Sequence, residues 1–367
     1  MQTVISILLF IIMISVIIFI HEFGHYLIAK QNGVGVVEFS IGMGPAIYSK
    51  VKNGTEYSIR AVPFGGYCML LGQESFLDEE KDGEAIVSDE EHSFANKNVW
   101  QRIAIILAGP VFNFILALVL ALVMVSFIGT TTSRIGVVAE NYPAEEAGLK
   151  AGDEIIKLNK TRTHLFQDIT MYLTLHEGED VDVTYVRDGN TYTTTLKPKY
   201  DEENGRYMIG IGSEGRREHL SFGNVLKYGY YEFAYSTTSV VKSLGMLVSG
   251  KASLNDLSGP VGMASIINNV VDEVSEDTKE ESTWTTAYWI FINMLSLTVL
   301  ISANLGVVNL LPVPGLDGGR LIFLIIEAIT GKPVPKKFEG IVTIAGFVLL
   351  ALLMAAVLFN DIRKIFM

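Results

Sequence analysis

The stretch VISILLFIIMISVIIFI-HEFGH, residues 4–25, decides the class of this protein. Its apolar part, Val4–Ile20, is broken only by Ser6 and Ser15, and it is close to the shortest helix that crosses a bilayer, about 17–20 residues. A secretory signal peptide would begin with basic residues and end at a small-residue cleavage site. This run has no basic residue before it and ends in histidines and a glutamate. The pattern therefore predicts a membrane helix that the protein retains.

Composition and three later apolar runs extend this prediction to a polytopic α-helical membrane protein. Hydrophobic types make up 49% of the 367 residues and charged types only 19%, against roughly 25% charged residues in soluble domains. Tryptophan and arginine precede the second run and lysines flank the last, as is typical of bilayer interfaces. The further spans are predicted at Ile103–Ile128, about Trp284–Val308 and Ile341–Phe359.

Charge and cysteine content exclude several classes of partner and site. The chain carries 28 basic and 40 acidic side chains, a net charge of −12, whereas a nucleic-acid binder presents a basic face. We therefore expect no nucleic-acid partner. The single cysteine, Cys68, excludes an internal disulfide and a zinc site built from cysteines.

A polar stretch, Thr130–Thr283, separates the second span from the third. Its first part alternates short strand patterns with glycine turns, and the segment AEEAGLKAGD at 144–153 resembles PDZ domains of the bacterial type. The resemblance implies a β-rich domain at 130–213. This domain either binds an extended peptide at a strand edge near Arg134–Val137 or serves as a spacer or size filter. The rest, 214–283, is predicted to be a helical linker.

The end of the first span carries an H-E-x-x-H pattern. On a helix, His21 and His25 lie on one face with Cβ atoms about 5–6 Å apart, so their imidazoles can bind one Zn²⁺ ion. Glu22 is rotated by about 100° and can accept a proton from a water on the metal without ligating the metal itself. Ionisable residues at membrane depth are costly, which favours a catalytic zinc site over a polar cluster at the membrane interface.

A catalytic zinc site keeps one position open, so a further protein ligand is needed. The segment NLLPVPGLDGG, residues 309–319, follows the third span, and its prolines and glycines break the helix at membrane depth. Asp317 offers a carboxylate there, on the same membrane side as the histidine pair. The other histidines lie in or beyond the polar insert or in an acidic loop, so we expect Asp317 to complete the site.

With these motifs the chain resembles the bacterial site-2 proteases, a family of intramembrane zinc metalloproteases. The resemblance rests on His21–His25, on the signature Asn309–Asp317 and on GPVFN at 109–113, and it covers essentially the whole chain with one PDZ-like domain. It implies that His21, His25 and Asp317 are the zinc ligands. It also implies that Glu22 is the general base and that Asn309 contacts the unwound substrate backbone. Within GPVFN, we expect Gly109, Pro110 and Asn113 to serve helix packing in the bilayer.

The loop between the first two spans, 31–99, contains a strand pattern. Tyr57–Tyr67 alternates polar and apolar residues and then turns at glycines. In the resembling family the equivalent loop re-enters the membrane toward the active site. This implies that a substrate strand could be added beside Ile59 and Ala61. An ordinary cytoplasmic hairpin is the alternative.

The resemblance also implies the reaction and its partners. We expect hydrolysis of peptide bonds within the transmembrane segments of single-span membrane proteins, such as trimmed anti-sigma factors or remnant signal peptides. The reaction would take place in the lipid bilayer of the inner (plasma) membrane. A non-catalytic membrane PDZ scaffold with a structural metal site is the alternative function, and an unchanged phenotype after Glu22→Gln would indicate it.

Seven consecutive segments follow from these predictions. They are 1–30, the first transmembrane helix with HExxH; 31–99, a cytoplasmic loop with a re-entrant β-hairpin; 100–129, the second transmembrane helix; 130–213, the PDZ-like domain; 214–283, the helical linker; 284–330, the third transmembrane helix with the Asp317 motif; and 331–367, the fourth transmembrane helix and tail. Basic residues in the loop after the third span predict that this loop and the active site are near the cytoplasmic side. The termini and the PDZ-like domain would then be extracytoplasmic.

Overall fold

The computed structural model describes residues 2–72, 90–202, 204–215, 220–253, 255 and 257–366. Its helices and strands in chain order are α1 (Gln2–Gln31), β1 (Val36–Lys52), β2 (Thr55–Leu70), α2 (Val99–Ile128), β3 (Ile135–Val138), α3 (Pro143–Glu146), β4 (Glu154–Leu158), β5 (Thr161–Arg162), α4 (Phe166–Leu175), β6 (Val181–Arg187), β7 (Asn190–Leu196), β8 (Lys199–Asp201), β9 (Arg206–Met208), β10 (Ile211–Ser213), α5 (Phe222–Val248), α6 (Pro260–Asp277), α7 (Thr283–Asn309), α8 (Asp317–Thr330) and α9 (Lys336–Phe366). Within these residues, α1, α2, α7 and α9 are long and apolar enough to cross a membrane, and each contains one predicted span. The prediction of a polytopic helical membrane protein with a β-rich insert is confirmed.

The chain divides into two compact units. We call residues 1–117 with 252–367 the membrane unit and residues 118–251 the insert unit. The interval 214–283, which we expected to be one linker, is shared between them, since α5 belongs to the insert unit and α6 to the membrane unit.

Helix α6 joins the membrane unit because one of its faces is apolar. Ile267 and Val271 are each 1% exposed. They pack in one cluster with side chains of α1 and α7, namely Phe10, Met13, Ile17 and Met294. The N-terminus of α6 is held by α9, because the buried Asp361 carboxylate accepts hydrogen bonds from the backbone N–H groups of Gly259 at 3.2 Å and Gly262 at 2.8 Å.

The loop between the first two spans folds into a sheet of four segments beside α1. Residues 36–41 pair on one side with 66–70 and on the other with 56–59, while 46–52 pair with 55–60 and form the far edge. Hydroxyl groups connect this sheet to α1, since Ser15 Oγ donates to the carbonyl of Pro63 at 2.9 Å. The sheet therefore reaches the level of Ser15, in the middle of the first span.

A buried carboxylate ties the inner segments of this sheet together. Glu38 is 7% exposed and accepts hydrogen bonds from the hydroxyl of Ser58 at 2.5 Å and that of Tyr67 at 2.6 Å. Arg60 donates to the same carboxylate through Nη2 at 2.6 Å and Nε at 3.1 Å. Because the donors come from both neighbours of the 36–41 segment, Glu38 fixes the register of the sheet.

The insert unit is built around a sheet with strand order β5-β4-β6-β7, and β3 pairs separately with β10. Its core consists of apolar side chains from the strands and α4, the largest fully buried being Ile135, Ile155, Leu158, Ile169 and Ile209. Strand β10 pairs with β3 and so occupies one edge of the stretch Arg134–Val137, where we expected a peptide, and peptide binding there stays a prediction. A separate groove, between α4 and residues 206–211, has a volume of about 70 Å³.

The AEEAGLKAGD segment forms α3 and the turn into β4. Gly152 adopts a φ of +93°, and the following Asp153 is 1% exposed. The Asp153 carboxylate accepts two hydrogen bonds from Arg187, each at 2.7 Å, and one from the backbone N–H of Lys150 at 2.8 Å. Burial alone would raise the pKa of Asp153, but the bonds from Arg187 and Lys150 outweigh burial and hold it below its ordinary value.

Candidate metal centre

Two histidines of α1 and one aspartate of α8 meet at a single point of the membrane unit. His21 and His25 are 7% and 8% exposed, and their Nε2 atoms lie 3.3 Å apart. The Oδ2 atom of Asp317 lies 3.1 Å from Nε2 of His21 and 3.3 Å from Nε2 of His25. The three ligand atoms therefore form a nearly equilateral triangle.

The triangle fits a zinc ion. In a tetrahedral site with ligands at about 2.0–2.1 Å from zinc, neighbouring ligand atoms are about 3.3 Å apart. The buried Oδ2 atom of Asp317 accepts no hydrogen bond from any donor in the described residues, although it faces two nitrogens. Among the described histidines, cysteines, aspartates and glutamates, these three residues form a group whose ligand atoms all lie within 4.8 Å of one another. Two imidazoles and one carboxylate are also a common donor set for catalytic zinc.

The rear nitrogen of each imidazole is held by α2. Nδ1 of His25 lies 2.8 Å from the backbone carbonyl of Ile105, which fixes the proton on Nδ1 and leaves Nε2 free to ligate. Nδ1 of His21 lies 3.0 Å from the amide of Asn113, a side chain with no exposed surface. The hydroxyl of Ser302 on α7 donates to the backbone carbonyl of Asn113 at 2.8 Å, which fixes the position of this residue.

The small residues at the crossing of α1 and α2 make these contacts possible. A Cβ atom added to Gly109 would lie 2.3 Å from Nε2 of His25 and 2.7 Å from Cε1 of His21. A Cβ atom added to Gly24 would lie 2.5 Å from the carbonyl oxygen of Ala108. The lack of a side chain at Gly109 therefore leaves room for the two imidazole rings. This role goes beyond the helix packing that we expected of the GPVFN segment.

Asp317 reaches the histidines because α7 stops short. The helix ends at Asn309, and the chain turns through residues 310–316 before α8 begins at Asp317. Pro312 and Pro314 cannot donate to a helix, and Gly315 has a φ of +97°. This arrangement agrees with the helix break that we predicted from the prolines and glycines, and it places the carboxylate at the first residue of a new helix.

A cavity of about 250 Å³ opens beside the triangle. Its lining residues are Ile18, His21, Glu22, Leu305, Asn309, Gly315, Leu316 and Asp317. Nδ2 of Asn309 lies 3.5 Å from Nε2 of His21. The cavity thus brings two further groups next to the three ligand atoms. These are the carboxylate of Glu22, which is not part of the triangle, and the amide of Asn309.

The sheet beside α1 contributes its 66–70 edge to this region. A Cβ atom added to Gly66 would lie 3.7 Å from Cγ of Glu22, and the backbone amide of Cys68 faces the Glu22 carboxylate. Ile59, in contrast, pairs with Ile41 on one side and with Tyr48 on the other. A substrate strand beside Ile59 would have to displace a neighbour, whereas 66–70 is an edge of the sheet next to the candidate metal centre. A substrate contact at Ile59 and Ala61 stays a prediction.

Sequence reasoning missed the supporting contacts of Asn113, Gly109 and Ile105. One signal could have revealed the first two, because Gly109 and Asn113 are four residues apart and therefore lie on one face of α2. The Ile105 contact uses only a backbone carbonyl, which leaves no trace in the choice of side chain.

Comparisons with known proteins identify the family of this chain. The sequence profile of peptidase family M50 matches residues 9–353. A candidate zinc metalloprotease of Clostridium acetobutylicum is 37% identical over 357 residues, which is 97% of each chain. The zinc metalloprotease RasP of Geobacillus kaustophilus is 32% identical over an alignment of 436 positions, which covers 100% of this chain and 100% of that one. Among solved structures, the PDZ domain of an SdrC-like protein of Listeria monocytogenes is 21% identical, with a TM-score of 0.20, over 24% of this chain and 87% of that one.

Proposed function

The chain belongs to peptidase family M50, the site-2 proteases, and is an intramembrane zinc metalloprotease; from this premise we propose that His21, His25 and Asp317 ligate its zinc and that Glu22 is the general base. The observation that carries the ligand assignment is the triangle of Nε2, Nε2 and Oδ2 atoms with sides of 3.1–3.3 Å. These distances match a shared ion, and the buried Oδ2 atom has no hydrogen-bond donor among the described residues.

Bound zinc supplies polarisation of the scissile carbonyl and lowers the pKa of a water to about 7. Glu22 lines the same cavity as two of the proposed ligands, so its carboxylate accepts the proton of the attacking water and later delivers it to the leaving nitrogen. Asn309 lines that cavity as well and presents an amide N–H to a backbone carbonyl of the unwound substrate.

Asn113 positions His21 for this task. When Nε2 of His21 ligates zinc, Nδ1 carries the proton and needs an acceptor. Oδ1 of Asn113 is buried without a partner in the described residues, while Nδ2 faces Nδ1 of His21. Turning the amide by 180° exchanges its two ends, so that Oδ1 accepts from Nδ1–H. We assign this orientation to the zinc-bound protein.

The substrates are proposed to be single-span membrane proteins, whose transmembrane helix must unwind before a peptide bond reaches the cavity. The sheet beside α1 offers two means of holding an unwound chain. Its 66–70 edge can accept a further strand next to Glu22. Ile59 is 50% exposed and, with Ala61, presents apolar surface from the neighbouring part of β2.

We propose the inner (plasma) membrane as the location, with the metal centre near the cytoplasmic side and the termini and insert outside. Basic residues after the third span support this orientation, namely Arg320, Lys332, Lys336 and Lys337. The insert is proposed to be PDZ-like, and its groove along α4 could take a peptide of a membrane substrate.

The role of Glu22 is tested with the full chain in lipid. Glu22→Gln should retain about one zinc per chain, because Glu22 is not a ligand, and should cleave a transmembrane substrate at least about 10²-fold more slowly. Glu273→Gln on the exposed face of α6 is the matched control and should cleave normally. Retained turnover in Glu22→Gln would remove Glu22 from the reaction, and loss of zinc would make it a ligand instead.

A further inference from the structure

A second cleft, of about 400 Å³, lies wholly within the insert unit. Its walls are β4, β5 and the first turns of α5. The ring of His164 stacks on that of Tyr231, with centroids 4.0 Å apart and planes 6° apart. The cleft is therefore a partly aromatic space between the β-sheet and α5, and no step of the proposed proteolysis uses it.

The cleft gathers positive charge in a protein that is acidic as a whole. Lys157, Arg162 and Lys227 line it, against one carboxylate, Glu154. Within the described part of the chain, no ion pair engages these three cations, although Lys227 lies 5.2 Å from the ring centre of Tyr228. Three cations that form no ion pair with the described residues, around a cleft next to stacked rings, are suited to attract an anionic group.

The chain itself sets the depth of this cleft relative to the bilayer. Helix α2 ends at Ile128, and the backbone N–H of Phe166 donates to the carbonyl of Thr131 at 3.1 Å. Thr132 forms a β-bridge with Leu165, the neighbour of His164. The wall of the cleft at His164 therefore lies three to four residues beyond the end of a membrane span, where lipid headgroups are found.

Helix α5 brings apolar surface to the same level. A Cβ atom added to Gly229 would lie 2.5 Å from Cδ2 of Leu122, so α5 packs directly on the last turns of the span. Around this contact, Phe222, Leu226 and Tyr230 are 79%, 46% and 56% exposed. Large apolar side chains exposed beside a membrane span are expected to be covered by lipid.

We propose that this cleft binds the phosphate of an anionic phospholipid headgroup, with Lys157, Arg162 and Lys227 as the cations that hold it. The acyl chains of that lipid lie along the exposed apolar side chains of α5. The bound lipid thereby fixes the insert unit to the bilayer surface at the point where the chain leaves α2. Basic pockets at the ends of membrane helices commonly select anionic headgroups in this way.

The binding test uses the purified full chain in detergent, titrated with phosphatidylglycerol or phosphatidylcholine, with retained lipids counted by native mass spectrometry. The wild type should retain phosphatidylglycerol in preference to phosphatidylcholine. Each neutralised cation should weaken that preference about fivefold, so that the triple variant K157Q/R162Q/K227Q loses it. The matched control K150Q/K197Q/K199Q removes the same charge from the insert unit outside the cleft and should keep the preference.

Several results would overturn the proposal. If both triple variants lost the preference for phosphatidylglycerol equally, net charge and not the cleft would cause that preference. Displacement of the lipid by millimolar inorganic phosphate would indicate a site for a free anion. The wild type could instead show no lipid preference and bind soluble polyglutamate. If the K157Q/R162Q/K227Q variant lost that binding, the cleft would be a site for an acidic peptide.

The position of α5 is tested independently of these cations. Phe222→Trp should add fluorescence that brominated lipids quench, whereas Tyr192→Trp, on the strand at the opposite edge of the sheet, should add fluorescence that they do not. Lack of quenching at position 222 would place α5 away from lipid and contradict the proposal even if a variant of the cleft failed to fold.

Discussion

Two aspartates of this protein, the buried Asp153 and the partly buried Asp317 with its buried Oδ2 atom, differ in the groups around them. Asp153 in the insert unit accepts hydrogen bonds from Arg187 and from the backbone N–H of Lys150. Asp317 in the membrane unit turns Oδ2 toward two imidazole nitrogens, and no donor of the described residues bonds that atom. A buried carboxylate is strongly unfavourable unless donors or a cation compensate it. The protein compensates the first aspartate itself, and we propose that a metal cation compensates the second.

Glu38 extends the comparison within the membrane unit. Its carboxylate is as buried as the two histidines, yet donors from Ser58, Arg60 and Tyr67 satisfy it. Burial of a charged group therefore does not mark a functional site in this chain. The distinguishing property of Asp317 is an oxygen atom that is buried, faces the other two proposed ligands and has no donor among the described residues.

The largest effect should follow from removing the charge of Asp317. In Asp317→Asn, we expect loss of bound zinc and of detectable cleavage, measured by metal analysis and by turnover of a transmembrane substrate. The variant should unfold with a free energy within about 1 kcal/mol of that of the wild type stripped of zinc, because the Oδ2 atom of Asp317 has no hydrogen-bond donor to lose among the described residues. An Asp317→Asn variant that keeps its zinc would contradict the proposed role of Asp317 as a ligand.

Asn113 sharpens the comparison, since its role depends on which end of the amide faces His21. Asn113→Asp offers only acceptors and should keep zinc affinity within a few-fold of the wild type. Asn113→Leu removes the acceptor and should weaken zinc affinity by about 10–100-fold. Competition with a chelator measures both. If Asn113→Asp lost as much affinity as Asn113→Leu, Nδ2 would be the group that matters and our assignment would be wrong.

Asp153→Asn should have the opposite effect to Asp317→Asn, because it should lower stability and leave zinc binding unchanged. It removes the charged acceptor of Arg187, so the free energy of unfolding of the insert unit should fall by about 2 kcal/mol while zinc content stays the same. Because the folded protein holds the pKa of Asp153 below its ordinary value, this stabilisation is present at neutral pH and lost as the pH falls through the folded pKa. Denaturation followed from pH 7 to pH 3 should show that acid loss in the wild type and not in Asp153→Asn.

Asp361 should give the smallest effect. In Asp361→Ala, the N–H groups of Gly259 and Gly262 lose their acceptor at the N-terminus of α6, and we expect a loss of about 1 kcal/mol in the stability of the membrane unit. Zinc binding should not change. Thermal unfolding in lipid measures the first quantity and metal analysis the second, and a loss of zinc would mean that this cap also controls the metal centre.

Much of the fold could be predicted because its signals are local. The apolar run Val4–Ile20 identifies a span by itself, and His21 and His25 lie on one helix face by their spacing alone. Asp317 could be predicted because the prolines before it end a membrane helix where a polar side chain is otherwise costly.

The remaining features depend on contacts between distant segments. The Asp361 cap joins residues about one hundred positions apart, and the Ile105 carbonyl meets His25 only because α1 and α2 cross closely at Gly24. Ile59 reads as an alternating strand residue whether it lies at an edge or between two neighbours. Its inner position follows from the pairing of the four segments, which the alternation alone does not determine.

X-ray absorption at the zinc edge of the full chain tests the central claim most directly. We predict a zinc ion with two imidazole nitrogens and oxygen ligands at about 2.0–2.1 Å, and loss of this spectrum in Asp317→Asn. A spectrum without imidazole scattering, or one that Asp317→Asn leaves unchanged, would contradict the account.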